Sequence, residues 1–209
     1  MRQGSLIIVT HNFPPETVGG ASRIYEICKM LKRNHNLIVL CPPPTFPFTN
    51  FPRFKRIIKF EKISRMKIVR VFTYQPNSLK PNLMERLLYY IVFPAICCLI
   101  TFYLIFVRKI RYVLTSTPPL TTILPGLLCK SLGAKWILDV RDLWLYAAIN
   151  LGYVRRDSFM LKLARKFETI SFTKSDLVLV NSPTIGDYIK NDLPKTQWNK
   201  IFFIPFSTE

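Results

Sequence analysis

Short apolar runs recur along the chain, and helical periodicity returns between them. Leu6-Ile7-Ile8-Val9-Thr10 and Leu37-Ile38-Val39-Leu40-Cys41 are uninterrupted runs of strand length. That is the pattern of strands buried on both faces. Between them Ile24, Ile27, Cys28 and Leu31 recur at helical spacing and predict a helix over about 21–33, with His35 in the tight turn that follows. Lys67 to Phe72 alternates charged and apolar residues, as a third strand nearer the sheet edge would. Further on, 112–116, 136–140, 176–180 and 201–204 read as strands. Ser116-Thr117-Pro118-Pro119 opens a helix that Gly133 ends, 158–173 forms another, and Asn181-Ser182-Pro183 starts a short one. The proline-bearing stretches 42–52 and 74–82 read as loops. Alternating strands and helices specify an α/β fold, a doubly wound parallel sheet in a single domain over 1–209.

One stretch interrupts this alternation. Leu87 to Val107 is a run of 21 uncharged residues between Arg86 and Arg108, long enough to cross a membrane. Strands on both sides of it belong to one sheet, which a single crossing would divide, and two crossings need roughly 40 apolar residues. Pro94 inside the run is expected to kink or break the helix. The expectation is a hydrophobic helix or hairpin over 83–109 that dips into one leaflet, with a helix buried against the sheet as the alternative.

Charge extends this picture. The 209-residue chain carries 30 Lys and Arg against 12 Asp and Glu, a net charge of +18. A chain so basic seeks a polyanion: nucleic acid, an anionic membrane surface or phosphorylated ligands. Between Arg53 and Arg70 eight basic residues and one acid, Glu61, alternate with Phe54, Ile57, Ile58, Phe60, Ile63 and Met66. Two readings stand for that segment, an amphipathic surface on anionic lipid or a basic strand pair. Nucleic acid is not expected as a partner, because that reading leaves the apolar run unexplained and no nucleic-acid-binding motif is present. The five cysteines form no CxxC pair and sit in apolar surroundings, as small buried side chains of a reducing compartment do. Two distant histidines make no metal site, and no cofactor is implied.

The candidate chemistry gathers at two strand ends. Phe13-Pro14-Pro15-Glu16-Thr17-Val18-Gly19-Gly20-Ala21-Ser22-Arg23 is a strand-to-helix turn with two glycines where the helix begins. Glycine permits positive φ and close approach, and the free N–H groups of a new helix suit a phosphate. Glu16 and Arg23 flank this seat; Glu16 alternatively orients the turn. The spacing does not fit GxGxxG, which argues against a dinucleotide enzyme. Strand 136–140 delivers Arg141-Asp142-Leu143-Trp144 to the carboxyl edge, where ligands of open α/β sheets bind. Asp142 is placed to accept a hydroxyl proton and Arg141 to pair with phosphate; a structural pair capping the loop is the alternative.

These motifs carry a resemblance. FPPETVGGASR, STPPLTTILPGLLCKSLGAKWILDVRDLW, LGYVRRD and SDLVLVNSP, in that order, resemble the N-terminal half of a family 4 glycosyltransferase of the GT-B fold, of the kind that builds surface polysaccharides. The resemblance implies a Rossmann-like domain that holds the acceptor, lipid-linked or glycan. It implies that Gly19-Gly20 face the diphosphate of a nucleotide-sugar donor and that Arg141-Asp142 lie at the cleft. Many relatives have His where this chain has Arg141. The donor-binding second domain is expected to be absent, the chain reaching Ile204-Pro205-Phe206-Ser207 where relatives enter it. The chain then acts with a donor-binding protein partner at the cytoplasmic face of the membrane; the alternative is a non-catalytic membrane adaptor with a degenerate glycosyltransferase fold.

Overall fold

The structure, a computed structural model, describes residues 5–64, 66–150 and 158–205. The LGYVRRD stretch (151–157) and the Phe206-Ser207 junction lie outside the described residues.

Among the described residues one sheet of eight strands forms: β1 (Ser5–Val9), β2 (Asn36–Cys41), β3 (Ile58–Ile63), β4 (Met66–Val71), β5 (Tyr112–Thr117), β6 (Lys135–Val140), β7 (Leu177–Val180) and β8 (Ile201–Phe203). The order across the sheet is β3-β4-β2-β1-β5-β6-β7-β8. Every neighbouring pair is parallel except β3 with β4. Six helices accompany them: α1 (Gly19–Leu31), α2 (Leu83–Arg108), α3 (Ile123–Ser131), α4 (Trp144–Asn150), α5 (Phe159–Lys174) and α6 (Pro183–Asp192). The doubly wound sheet read from the sequence is therefore present.

Alternate residues of β1 feed two cores. Leu6 and Ile8 pack with Ile24, Ile27 and Cys28 of α1; Ile7 and Val9 pack with Phe93 and Cys97 of α2. This is why the strand reads as one apolar run rather than an alternation. A third core joins Trp136, Leu138 and Val140 of β6 to Phe172 of α5 and Ile185 and Ile189 of α6. Strand order reverses between β1 and β5, and a crevice at the carboxyl ends there is the ligand position of such sheets.

Two features decide between readings the sequence left open, and one adds to them. Segment 58–63 is a strand, β3, hydrogen-bonded antiparallel to β4, so 53–70 contains a basic strand pair at the sheet edge and the sheet is not wholly parallel. A short helix, α4, follows Asp142 without having been foreseen. The run around 87–107 is neither hairpin nor broken: α2 is one helix of 26 residues passing through Pro94.

Its start is a capping box, the Asn82 side chain accepting from Glu85 N–H (2.9 Å) and the Glu85 carboxylate accepting from Asn82 N–H (3.0 Å). Proline at 94 removes the donor that the Tyr90 carbonyl would otherwise receive. The Thr121 hydroxyl supplies the replacement at 2.6 Å. The preceding carbonyl, of Tyr89, accepts from Thr73 Oγ1 (2.8 Å) and His11 Nε2 (3.2 Å). Three loops thus hold α2 at its proline, and the helix continues.

Candidate functional site

The two glycines after β1 differ in role. Neither has positive φ, which among the described glycines belongs to Gly133, so the left-handed geometry anticipated for the turn is not what they supply. Gly19 opens α1 with empty space where a side chain would stand. Gly20 has none: a Cβ there would overlap the Arg141 guanidinium. Arg141 arrives from the end of β6 and crosses the end of β5. Its Nε donates to the Thr117 carbonyl at 3.0 Å and its Nη2 to the Pro118 carbonyl. The buried guanidinium therefore lies under the first turn of α1, at the strand-order reversal. Burial pulls its pKa down, with Asp139 and Asp142 opposing and Arg23 adding to the fall.

Ala21 and Ser22 N–H both return to the Val18 carbonyl, whereas the N–H groups of Gly19 and Gly20 have no partner among the described residues. Two open donors, the positive end of α1 and the guanidinium beneath meet here, an arrangement whose chemistry suits an anion. Asp142 follows Arg141 at the end of β6, exposed and without a hydrogen bond or ion pair among the described residues, and lines a small pocket with Thr117, Pro118 and Trp144. It is the uncommitted carboxylate next to Arg141.

Glu16 and Arg23 face inward. Glu16 is buried, its Oε1 accepting from Thr45 N–H (2.7 Å) and Phe46 N–H (2.8 Å) and its Oε2 from Asn12 Nδ2 (3.0 Å). It fastens the 42–57 loop to the glycine turn. Arg23 is buried too, donating to Asp139 Oδ1 through Nε (3.2 Å) and Nη2 (2.9 Å) and to the Ile204 carbonyl through Nη1 (2.7 Å). Ser116 Oγ completes the buried carboxylate at 2.7 Å. Of the six residues singled out by sequence, Gly19, Gly20 and Arg141 come together at the edge and Asp142 follows Arg141 there, while Glu16 and Arg23 brace it from within.

Sequence reading passed over two things. His11, at the end of β1, is fully enclosed by Tyr89, Tyr90 and Phe93. Because a carbonyl only accepts, Nε2 carries the proton toward Tyr89. Burial depresses the imidazole pKa to about 4, against the Tyr89 bond, and the Arg141 charge lowers it further. The second is a polar pocket of about 180 Å³ between the 42–57 loop and the loop after β4, lined by Thr45, Thr49, Phe51, Arg53, Gln75 and Asn77. Gln75 shapes it, accepting from Phe54 N–H (2.6 Å) and donating to Thr45 Oγ1 (3.3 Å). Arg53 is exposed and forms no ion pair among the described residues. Only the polar character of the two loops hinted at this pocket, since its walls are distant in sequence.

No protein-family profile and no curated protein matches the sequence. Solved structures do match. Phytolacca americana UGT2 with UDP-2fluoro-glucose and pterostilbene superposes with a TM-score of 0.55 at 12% identity, over 98% of this chain and 54% of that one. The apo form of the same protein gives 0.56 at 14%, over 98% and 52%. Medicago truncatula UGT71G1 with UDP-glucose gives 0.52 at 13%, over 98% and 51%. The fold is that of one half of a GT-B glycosyltransferase. The chain spans about half the length of these structures.

Proposed function

We propose that this chain is the acceptor-binding half of a glycosyltransferase, of the family 4, polysaccharide-building kind that its motifs resemble. It would move a sugar from a nucleotide-sugar to a lipid-linked or glycan acceptor, with a donor-binding unit holding the nucleotide. The observation that carries this reading is the edge itself: open Gly19 and Gly20 N–H groups over the Arg141 guanidinium, with Asp142, unpaired among the described residues, next to Arg141 at the end of β6. The seat suits a diphosphate and the carboxylate suits an attacking hydroxyl. The likeness to structures that hold UDP-sugars supports the donor class. The pocket around Phe51 and Arg53 supports the acceptor side, because an aromatic face, a cation without an ion pair among the described residues and amide and hydroxyl groups suit a phosphate-linked sugar.

In transfer, Asp142 takes the proton of the acceptor hydroxyl as its oxygen attacks the sugar, and the nucleoside diphosphate leaves with its charge held at the glycine seat. The test uses membranes carrying the chain together with its donor-binding unit, supplied with labelled nucleotide-sugars. Asp142→Ala lowers label transfer by about 100–10,000-fold if the carboxylate is the general base. Undiminished transfer by a folded Asp142→Ala protein overturns the assignment.

A further inference from the structure

Helix α2 has two faces of different fate. Tyr89, Phe93, Cys97 and Thr101 recur every fourth residue and are buried against the sheet. On the opposite side Met84, Leu88, Ile91, Leu99, Phe102 and Phe106 stand exposed, Leu99 at 73%. A soluble surface helix would carry charge there; here the outer face is as apolar as the inner one. The bare face continues into a groove of about 1100 Å³ between the C-terminal half of α2 and the β3–β4 edge. Phe60 of β3, 79% exposed, lies along it. Among the described residues no helix other than α2 lines this groove.

Cations rim the apolar area. Lys62, Lys67 and Arg108 line the groove, and Lys109 and Arg111 stand exposed beyond it. None of the five forms an ion pair among the described residues. We infer that this face docks on the anionic surface of a lipid bilayer, α2 lying in the interface with its outer stripe among the acyl chains and the cations at the headgroups. Apolar burial and attraction to anionic headgroups are the two terms that hold an amphipathic surface there. A second copy of the chain fits the face poorly, because it would bring the same unpaired cations and the same net charge of +18 against it. Crossing the bilayer is incompatible with the fold. β4 and β5, before and after α2, belong to one sheet, and the helix rests along that sheet through its inner stripe.

The inference is independent of sugar transfer, since lipid binding needs neither donor nor acceptor. The test is co-sedimentation of the full chain with phosphatidylcholine vesicles made with and without phosphatidylglycerol. Binding is expected to the anionic vesicles and to weaken with salt. Leu99→Asp with Phe102→Asp, both on the exposed face, should weaken it about tenfold or more while circular dichroism stays unchanged. Lys62→Gln and Arg108→Gln should each cost about fivefold on anionic vesicles only. Absence of vesicle binding, or binding indifferent to the Asp pair, overturns the inference. So does a dimer in sedimentation equilibrium that the Asp pair dissociates, because the face would then belong to a second copy.

Discussion

The guanidinium of Arg141 occupies the space where a side chain on Gly20 would project, although the two residues lie on different βα units. The glycine is thus required by packing, and its neighbour Gly19 is required, if at all, by what approaches from outside. Gly20→Ala is expected to dislodge the buried Arg141 from the Thr117 and Pro118 carbonyls and destabilise the fold by roughly 2–3 kcal/mol. In an Arg141→Ala background the same change should cost almost nothing, so urea unfolding of the four proteins of the cycle should show strong coupling. An equal loss in both backgrounds would place the clash elsewhere.

Gly19→Ala has room and ordinary φ, and its melting temperature should match the wild type, the change lying within about 0.5 kcal/mol. A shift in donor KM with no shift in stability would locate the diphosphate over this residue; a large drop in stability contradicts the geometry.

Much of this architecture is legible in residue order because the sheet is buried on both faces. β1, β2 and β6 announce themselves as apolar runs, and Ser182-Pro183 marks the start of α6. What is not legible depends on contacts across distance. Pro94 reads as a helix breaker until Thr121 is seen to satisfy the Tyr90 carbonyl. Glu16 reads either as a ligand group or as the residue that orients the turn until the loop N–H groups of Thr45 and Phe46 are found on its carboxylate. Arg23 likewise has its partner Asp139 116 positions away. The edge strand β3 was ambiguous because alternating cations and apolar residues serve a lipid-facing surface and an edge strand alike.

His11 makes folding stability sensitive to acid. Its pKa falls from the ordinary 6.5 to about 4 on folding, so between those values the unfolded chain binds the extra proton. The neutral ring's contribution is complete above pH 6.5, declines as pH falls, and is lost near pH 4, an effect of about 3 kcal/mol. His11→Gln should be less stable at neutral pH yet show a shallower fall in stability over that window. Parallel wild-type and variant curves would mean that the imidazole does not titrate in the folded state as its enclosure requires.

Arg23 and Asp139 form a pair exposed by only 3% and 0%, with Ser116 and the Ile204 carbonyl as their other partners. Removing one member leaves a buried carboxylate with a single hydroxyl, so Arg23→Met should destabilise by about 3–5 kcal/mol in chemical denaturation. A loss below about 1 kcal/mol would show that water or a neighbouring group reaches Asp139.

The last expectation separates binding from chemistry at the edge. Arg53 and Phe51 line the polar pocket and stand apart from Arg141 and Asp142, joined to them through the loop that Glu16 fastens. A pocket that holds the acceptor's charged head equally in ground and transition states contributes to KM and not to kcat. Arg53→Ala should therefore raise acceptor KM about tenfold, the loss of one charge-assisted contact, with kcat little changed. Asp142→Ala should do the reverse, lowering kcat with acceptor KM nearly constant. Glu16→Gln keeps the shape but replaces one acceptor oxygen with an amide. It should move both constants modestly, because the loop it holds carries the pocket while the turn it belongs to carries the seat. If Arg53→Ala leaves acceptor KM unchanged in a protein that still folds, the pocket is not where the acceptor binds.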